Sequence, residues 1–365
     1  MKCLLIGLVA AVCLAGQYPG NIPLEHPAIR YTEPLTSDRV APLVGTRIDS
    51  LADLLQRLDV KGDSQALVFS KTSFQGARVS PSNPRSVFFS DDVAVGYVPG
   101  GSGIEIAAID ARQGAIFYTL DSSGQLRRQT VCLQCHQGPA TLGVPGIFIG
   151  SVLPNSLGQP SRAQALVTDH RTAFADRWGG WFVSGVRGEQ RGRANAVASG
   201  PDTPELLDQR ITVSGVSDPV ALMTFEHQTT ITNMLTRLGW EARIGQVGDS
   251  EITDAARYML LKDEVLLREP VEGVSTFAHT FPARGPRDSK GRSLRDFDLK
   301  SRLFRYPLSY MIYSAAFDAL PEGIRDRLYR SIVEGLRDSP ERTTILEILA
   351  DTKTNLPVWW RTLCQ

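Results

Sequence analysis

The chain has 365 residues, 42 % of them hydrophobic, and its 39 basic and 39 acidic side chains balance to a formal charge of zero. That length buries a substantial core as two domains or one large one. The balanced charge, with no strongly basic run, gives no footprint for nucleic acid or an anionic membrane.

Met1-Lys2 give a short basic start, an apolar run fills 3–15, and Ala15-Gly16 precede the polar, Pro-containing Gln17-Tyr18-Pro19-Gly20. This is the layout of a secretory signal over 1–16, removed on maturation, so a periplasmic or otherwise exported protein is expected. Cys13 is an alternative lipidation site, although Ala10-Ala11-Val12 match the usual small-residue lead-in weakly. No later stretch approaches about 18 uninterrupted apolar residues, so no membrane span is expected after cleavage. Residues 17–48, rich in Pro and polar groups, read as an extended lead-in on the surface.

A β-rich region is expected over 49–130. It opens with a short helix at 49–58, where Leu51, Leu54, Leu55 and Leu58 share a face. Strand-type runs follow at 66–70, 86–90, 93–98, 104–109 and 115–120, separated by turn residues such as Pro81-Ser82-Asn83-Pro84 and Pro99-Gly100-Gly101. The spacing predicts an antiparallel meander, with the next segment leaving its last strand.

That segment is Cys132-Leu133-Gln134-Cys135-His136, in an attachment region spanning 131–200. Two thiols at this spacing form thioethers to the two vinyl groups of one haem, and the adjacent histidine becomes the proximal iron ligand. C-type haem is attached outside the cytoplasm, in keeping with an export signal. A thioredoxin-like redox pair is disfavoured because Arg127-Arg128-Gln129-Thr130 is a poor buried strand, and zinc would need a further ligand pair at matching spacing. Cleavage after Gly16 leaves Cys132, Cys135 and Cys364, so haem attachment excludes an internal disulfide. No second such motif occurs; the expectation is one covalent haem c.

Beyond 200 the chain turns mainly helical (201–365), with helices expected at 218–238, 250–268, 307–319, 321–336 and 339–351. Asp218-Pro219 and Ser339-Pro340-Glu341 supply capping signals. The fold class expected is α+β: an antiparallel β-rich N-terminal half, a single haem site and a helical C-terminal half. This is not a minimal class I cytochrome c, because more than a hundred residues precede the motif.

The sixth iron ligand separates electron carriers from open-iron proteins. His227, on the same helix face as Met223 and Met234, and His170, between Asp169 and Arg171, are the leading candidates. His279 and His26 rank lower. Each histidine also has a plain reading as a hydrogen-bonded core residue. Arg177 and Trp178 are candidates for a propionate pair and a porphyrin contact, against a core cluster as the alternative. The basic stretch 284–305 is either a solvated loop or a docking patch for an acidic redox partner.

Lys71-Thr72-Ser73-Phe74-Gln75, Phe89-Ser90-Asp91-Asp92-Val93, the CxxCH, Asp169-His170-Arg171-Thr172, Arg177-Trp178-Gly179-Gly180-Trp181, Glu226-His227-Gln228 and Arg302-Leu303-Phe304-Arg305-Tyr306-Pro307 resemble a large bacterial family of exported proteins labelled "cytochrome c domain-containing". The resemblance runs over essentially the whole mature chain and implies haem binding and electron transfer, without a substrate. Members carry histidines shortly after the Trp-Gly-Gly-Trp segment; here that region reads Arg187-Gly188-Glu189-Gln190-Arg191-Gly192-Arg193. Two functions follow as expectations: an exported monohaem electron carrier with a redox partner protein, or a haem enzyme or gas- or peroxide-responsive protein with an open distal position.

Overall fold

A computed structural model describes residues 20–31, 37–161, 165–185, 188–200, 203–207 and 215–362. The signal segment with Cys13, and the C-terminal Cys364, lie outside the described residues.

The expected meander is present. Strands β1 (Ala66–Val68), β2 (Arg85–Phe89), β3 (Val93–Tyr97), β4 (Gly103–Asp110), β5 (Gly114–Asp121) and β6 (Leu126–Gln129) pair antiparallel with their neighbours in chain order. The short strand β9 (Trp181–Phe182) returns beside β1 and makes the sheet seven-stranded. Two two-stranded ribbons stand apart, β7 (Gly150–Ser151) with β8 (Leu166–Val167) and β10 (Ala196–Gly200) with β11 (Thr203–Leu206). Strand β6 was not among the expected runs: Leu126-Arg127-Arg128-Gln129 has one apolar residue, and it holds an edge where one buried side chain suffices. The motif therefore leaves β6, one strand later than the sequence reading placed it.

Each face of the sheet has its own cover. One face carries Ala66, Val68, Val87, Phe89 and Ala94 into a core shared with the helices, where the Phe89 and Phe225 rings stack at 4.4 Å. The other face, with Phe88, Val95, Ile106, Ile116 and Tyr118, packs on Ile22, Ile29, Tyr31, Val40, Leu54 and Leu58. The described lead-in is thus a lid on the sheet rather than a surface tail. Ile22, Ile29, Tyr31, Val40 and Ile48 are buried, and Tyr31 donates a 2.6 Å hydrogen bond to the Ala115 carbonyl. Helix α1 (Leu51–Arg57) joins this cover, capped by Ser50.

The central helix α3 (Pro219–Ile244) starts as its sequence dictates: the Asp218 carboxylate accepts from the Val220 and Ala221 N–H groups, and Pro219 opens the first turn. Its residues are buried almost all round, which marks an interior helix. Buried Thr224, Thr232 and Thr236 satisfy their hydroxyls on carbonyls four residues back. The expected stop at Gly239 does not occur. Trp240, fully buried and donating to the Arg112 carbonyl, together with the Arg237–Glu241 pair, carries the helix on to a left-handed cap at Gly245.

Helix α4 (Asp249–Met259) ends earlier than its periodicity implied, because the chain turns through Leu261 and Asp263 at positive φ so that the Val265 N–H reaches the His170 carbonyl. Residues 277–283, outside the expected helices, form helix α5 (Phe277–Ala283). The helix expected at 307–319 is split: Ser309 and Ser314 accept from Met311 and Phe317 N–H groups and start a 3-10 turn (Tyr310–Tyr313) and helix α6 (Ala315–Asp318). Helices α7 (Glu322–Gly335) and α8 (Arg342–Thr352) lie where expected. The molecule is a mixed, roughly α+β structure.

Candidate functional site

The motif forms one short helical turn, α2 (Leu133–His136), with Cys132 at its N-cap. Leu133 is buried against the sheet, while Cys132 is half-buried and Cys135 exposed; both thiols are free. The turn thus anchors on Leu133 and, in part, on Cys132, and presents the Cys135 sulfur outward.

His136 is held with one nitrogen committed. Its Nδ1 lies 2.9 Å from the Gly146 carbonyl, and the Gly146 N–H donates back to the His136 carbonyl at 2.9 Å. A carbonyl only accepts, so Nδ1 carries the proton and Nε2 keeps a lone pair. Among the described residues Nε2 has no hydrogen-bond partner. Phe117 and Phe148 flank the ring, with centroids at 5.0 and 5.6 Å. Burial lowers the imidazole pKa, against the raising effect of the Gly146 bond, which keeps the ring neutral near pH 7.

The loop that carries Gly146 is pinned from three sides. The Ala115 N–H on β5 donates to Pro145, Asn233 on α3 donates to Ile147, and Arg237 donates to both Leu142 and Gly20. Gln137 reaches the Ile22 carbonyl of the lead-in. Sheet, central helix and lead-in all fix where His136 points, as a preorganised ligand requires.

The rival chemistries find little here. Burial pushes the Cys132 thiol pKa up, and the Glu105 charge adds to the rise. A disulfide-exchange cysteine needs the opposite shift. Among the described residues no three His, Cys, Asp or Glu side chains gather in an arrangement that could hold a metal ion, so a closed zinc set is not formed.

His170 and His227 are brought together, but with each other rather than with His136. Their Nδ1 atoms lie 2.9 Å apart, and His227 Nε2 takes the Ser309 hydroxyl at 2.6 Å. Both histidines are buried, and their ring neighbours are Tyr258, Phe304 and Tyr310, none of which touches the His136 ring. Both nitrogens of His227 are therefore engaged.

Arg177 and Trp178 belong to the same interior. Arg177 donates to the His170 and Thr172 carbonyls, lies over the Phe174 ring, and meets Glu226 at 3.5 Å with both side chains essentially fully buried. Its carboxylate partner here is the Glu226 side chain. Trp178 is fully buried, edge-on to Phe174. Met223 is core and Met234 packs against it, His279 is exposed on α5, and His26 accepts from the Ala28 N–H. Half of the basic side chains of the stretch 284–305 are in ion pairs: Arg287 pairs with Asp296, Arg292 with Asp288 and Glu347, Lys290 with Glu347, and Arg295 with Asp91.

The residues that surround the motif were missed in the sequence. Phe117, Phe148 and Gly146 frame His136, and an Arg85–Glu105 ion pair of 2.6 Å acts on both Cys132 and His136. One signal was present: Gly96, alone inside the Val-Ala-Val-Gly-Tyr strand, marks a close approach.

Comparison with protein-family models, curated proteins and solved structures gave no match. Among the described residues no helix is long and apolar enough to cross a membrane.

Proposed function

We propose that the chain is an exported monohaem c-type cytochrome, attaching haem through Cys132 and Cys135 with His136 as proximal ligand, and passing electrons to a redox partner protein. The observation that carries this reading is His136 itself: a neutral imidazole whose Nδ1–H is spent on Gly146 and whose Nε2 stays available, one residue from an exposed thiol and four from a second. That is the tautomer and orientation an iron-ligating histidine needs. Haem, when bound, supplies reversible one-electron chemistry. The protein's part is to fix the ligand, to shield it with Phe117 and Phe148, and to leave an edge near Cys135 open to a partner.

A second reading has its own support. The two histidines best suited by sequence to a sixth position are bonded to one another and to Ser309, which favours an open distal iron and hence a gas- or peroxide-responsive protein or enzyme.

Spectra of protein matured with haem, ferric and ferrous, with and without carbon monoxide, separate the two. A low-spin spectrum unmoved by carbon monoxide supports the electron carrier, and a high-spin spectrum that shifts supports the open iron. In the same preparation Cys135→Ala is expected to retain at most one thioether. Normal two-thioether attachment in that variant removes the site assignment.

A further inference from the structure

The Arg85–Glu105 pair has a geometry that sheet stability does not explain. Val87 faces Gly96 and Gly96 faces Glu105 across β2, β3 and β4, so these residues share one face of the sheet, and Arg85, two before Val87, shares it too. The guanidinium crosses above Gly96 to reach the Glu105 carboxylate. A Cβ at position 96 would run into it, so the strand gives up a side chain there to let the arginine lie flat. Glu105 faces Thr119 on β5, and Phe117, two residues earlier, stands on the same face beneath the His136 ring. Arg85, Glu105 and His136 therefore rise from one surface. The two charged side chains that act on the His136 imidazole are these two, and both act on the Cys132 thiol as well.

The pair is also incomplete. Each side chain is only 22 % exposed, yet Arg85 Nε and Glu105 Oε1 are buried without a hydrogen-bond partner. Buried polar atoms of an ion pair are costly to leave unmatched, so these two call for a further partner. Glu105 holds one amino group of the guanidinium and so sets its plane, and the Nε–H is left without an acceptor, a donor that a carboxylate can take.

We propose that Arg85, oriented by Glu105 above Gly96, binds a propionate carboxylate of the haem attached at Cys132 and Cys135. This rests on the haem reading above. It also gives the carboxylate-pairing role to an arginine beside the motif whose Nε is left unpaired, whereas Arg177 spends its Nε and an amino nitrogen on the Thr172 and His170 carbonyls.

The test compares haem with haem dimethyl ester, which lacks the carboxylate charges, each titrated into the full mature chain produced without haem and followed by the Soret band. Esterification is expected to weaken binding to the wild-type chain roughly ten- to a hundredfold, the range for hydrogen bonds to a charged group. Arg85→Gln should bind both forms about equally, and Arg85→Lys should fall between, because an ammonium gives charge without the fork. An equal ester penalty in wild type and Arg85→Gln overturns the assignment. Glu105→Gln, which leaves Arg85 in place and does not depend on Arg85→Gln folding, should keep the penalty, and its loss there overturns the assignment as well. A wild-type chain that binds neither form overturns the haem reading itself.

Discussion

Two histidine neighbourhoods in this molecule use the same side chain for opposite ends. At the sheet edge, His136 is tied through one nitrogen to the Gly146 carbonyl, and its neighbours are two aromatic rings and an incompletely satisfied ion pair. Beneath the helices, His227 has both nitrogens committed, to His170 and Ser309, in a core of tyrosines and phenylalanines. The first arrangement leaves one imidazole nitrogen unspent near the surface; the second spends both nitrogens of His227 on holding a loop to a helix and leaves His170 Nε2 buried without a partner. A histidine's role is set by what remains of its two nitrogens after packing, which spacing along the chain does not report.

The sharpest way to break this contrast is through Arg177, which locks the interior cluster. It binds the His170 and Thr172 carbonyls and balances Glu226, whose own pKa is raised by burial and pulled back by the Arg177 charge and the Thr168 hydroxyl. Arg177→Met removes the cation and leaves a buried carboxyl, at an expected cost of roughly 3–5 kcal/mol in denaturant unfolding. The double variant Arg177→Met/Glu226→Gln should recover much of that loss. Covalent haem per chain should be unchanged in protein that folds. Selective loss of haem from a stable Arg177→Met protein would instead return Arg177 to the cofactor.

The legibility of these two regions in the sequence differs for a physical reason. Cys132, Cys135 and His136 are neighbours in the chain, so their chemistry is local and readable without the fold. The strands of the meander were equally plain, because alternation and turn residues are local signals. Arg85, Glu105, Phe117 and Phe148 reach the motif only through strand register and loop path, and of these Gly96 alone left a trace. His170, His227, Arg177 and Trp178, the candidates for haem contact, were hard to place for the same reason: their neighbours in the fold, Ser309, Glu226 and Phe174, are set by tertiary packing. The lead-in was misread because a Pro-rich segment with scattered Ile and Tyr has no period, yet those few residues suffice to cover one sheet face.

The contrast is sharpened by acid. Burial lowers the pKa of His227 to about 3, and that of His170 well below the ordinary value, with the positive charges of Arg171 and Arg177 opposing protonation of His170 further. The unfolded chain takes up these protons near pH 6.5 and the folded one does not. Stability is therefore full above about pH 6.5 and falls as the pH drops towards the folded values, by up to about 1.4 kcal/mol per pH unit for each histidine. Melting temperatures of haem-loaded protein between pH 7 and 4 should show a slope that His227→Gln reduces. His227→Gln should leave the visible spectrum as it was. A changed Soret band in that variant, with an unchanged pH slope, would make His227 an iron ligand and end the distinction drawn here.

The smallest expected effect isolates a single bond. Ser309 Oγ is hydrogen-bonded to His227 Nε2 at 2.6 Å while accepting from the Met311 N–H, and its own N–H goes to the Met259 carbonyl. Ser309→Ala keeps the backbone bond and the volume within one atom, but leaves His227 Nε2 buried and unpaired and removes the cap of the following 3-10 turn. The expected cost is about 1–3 kcal/mol, read from the denaturant midpoint at constant m-value. The imidazole also loses a partner that helps set its protonation, so the acid limb of the stability curve should also move. If the histidine pair is structural, both effects appear with haem content and spectrum intact. If Ser309→Ala is neutral in stability yet alters carbon monoxide binding, the interior pair communicates with the iron, and the two neighbourhoods are one functional unit.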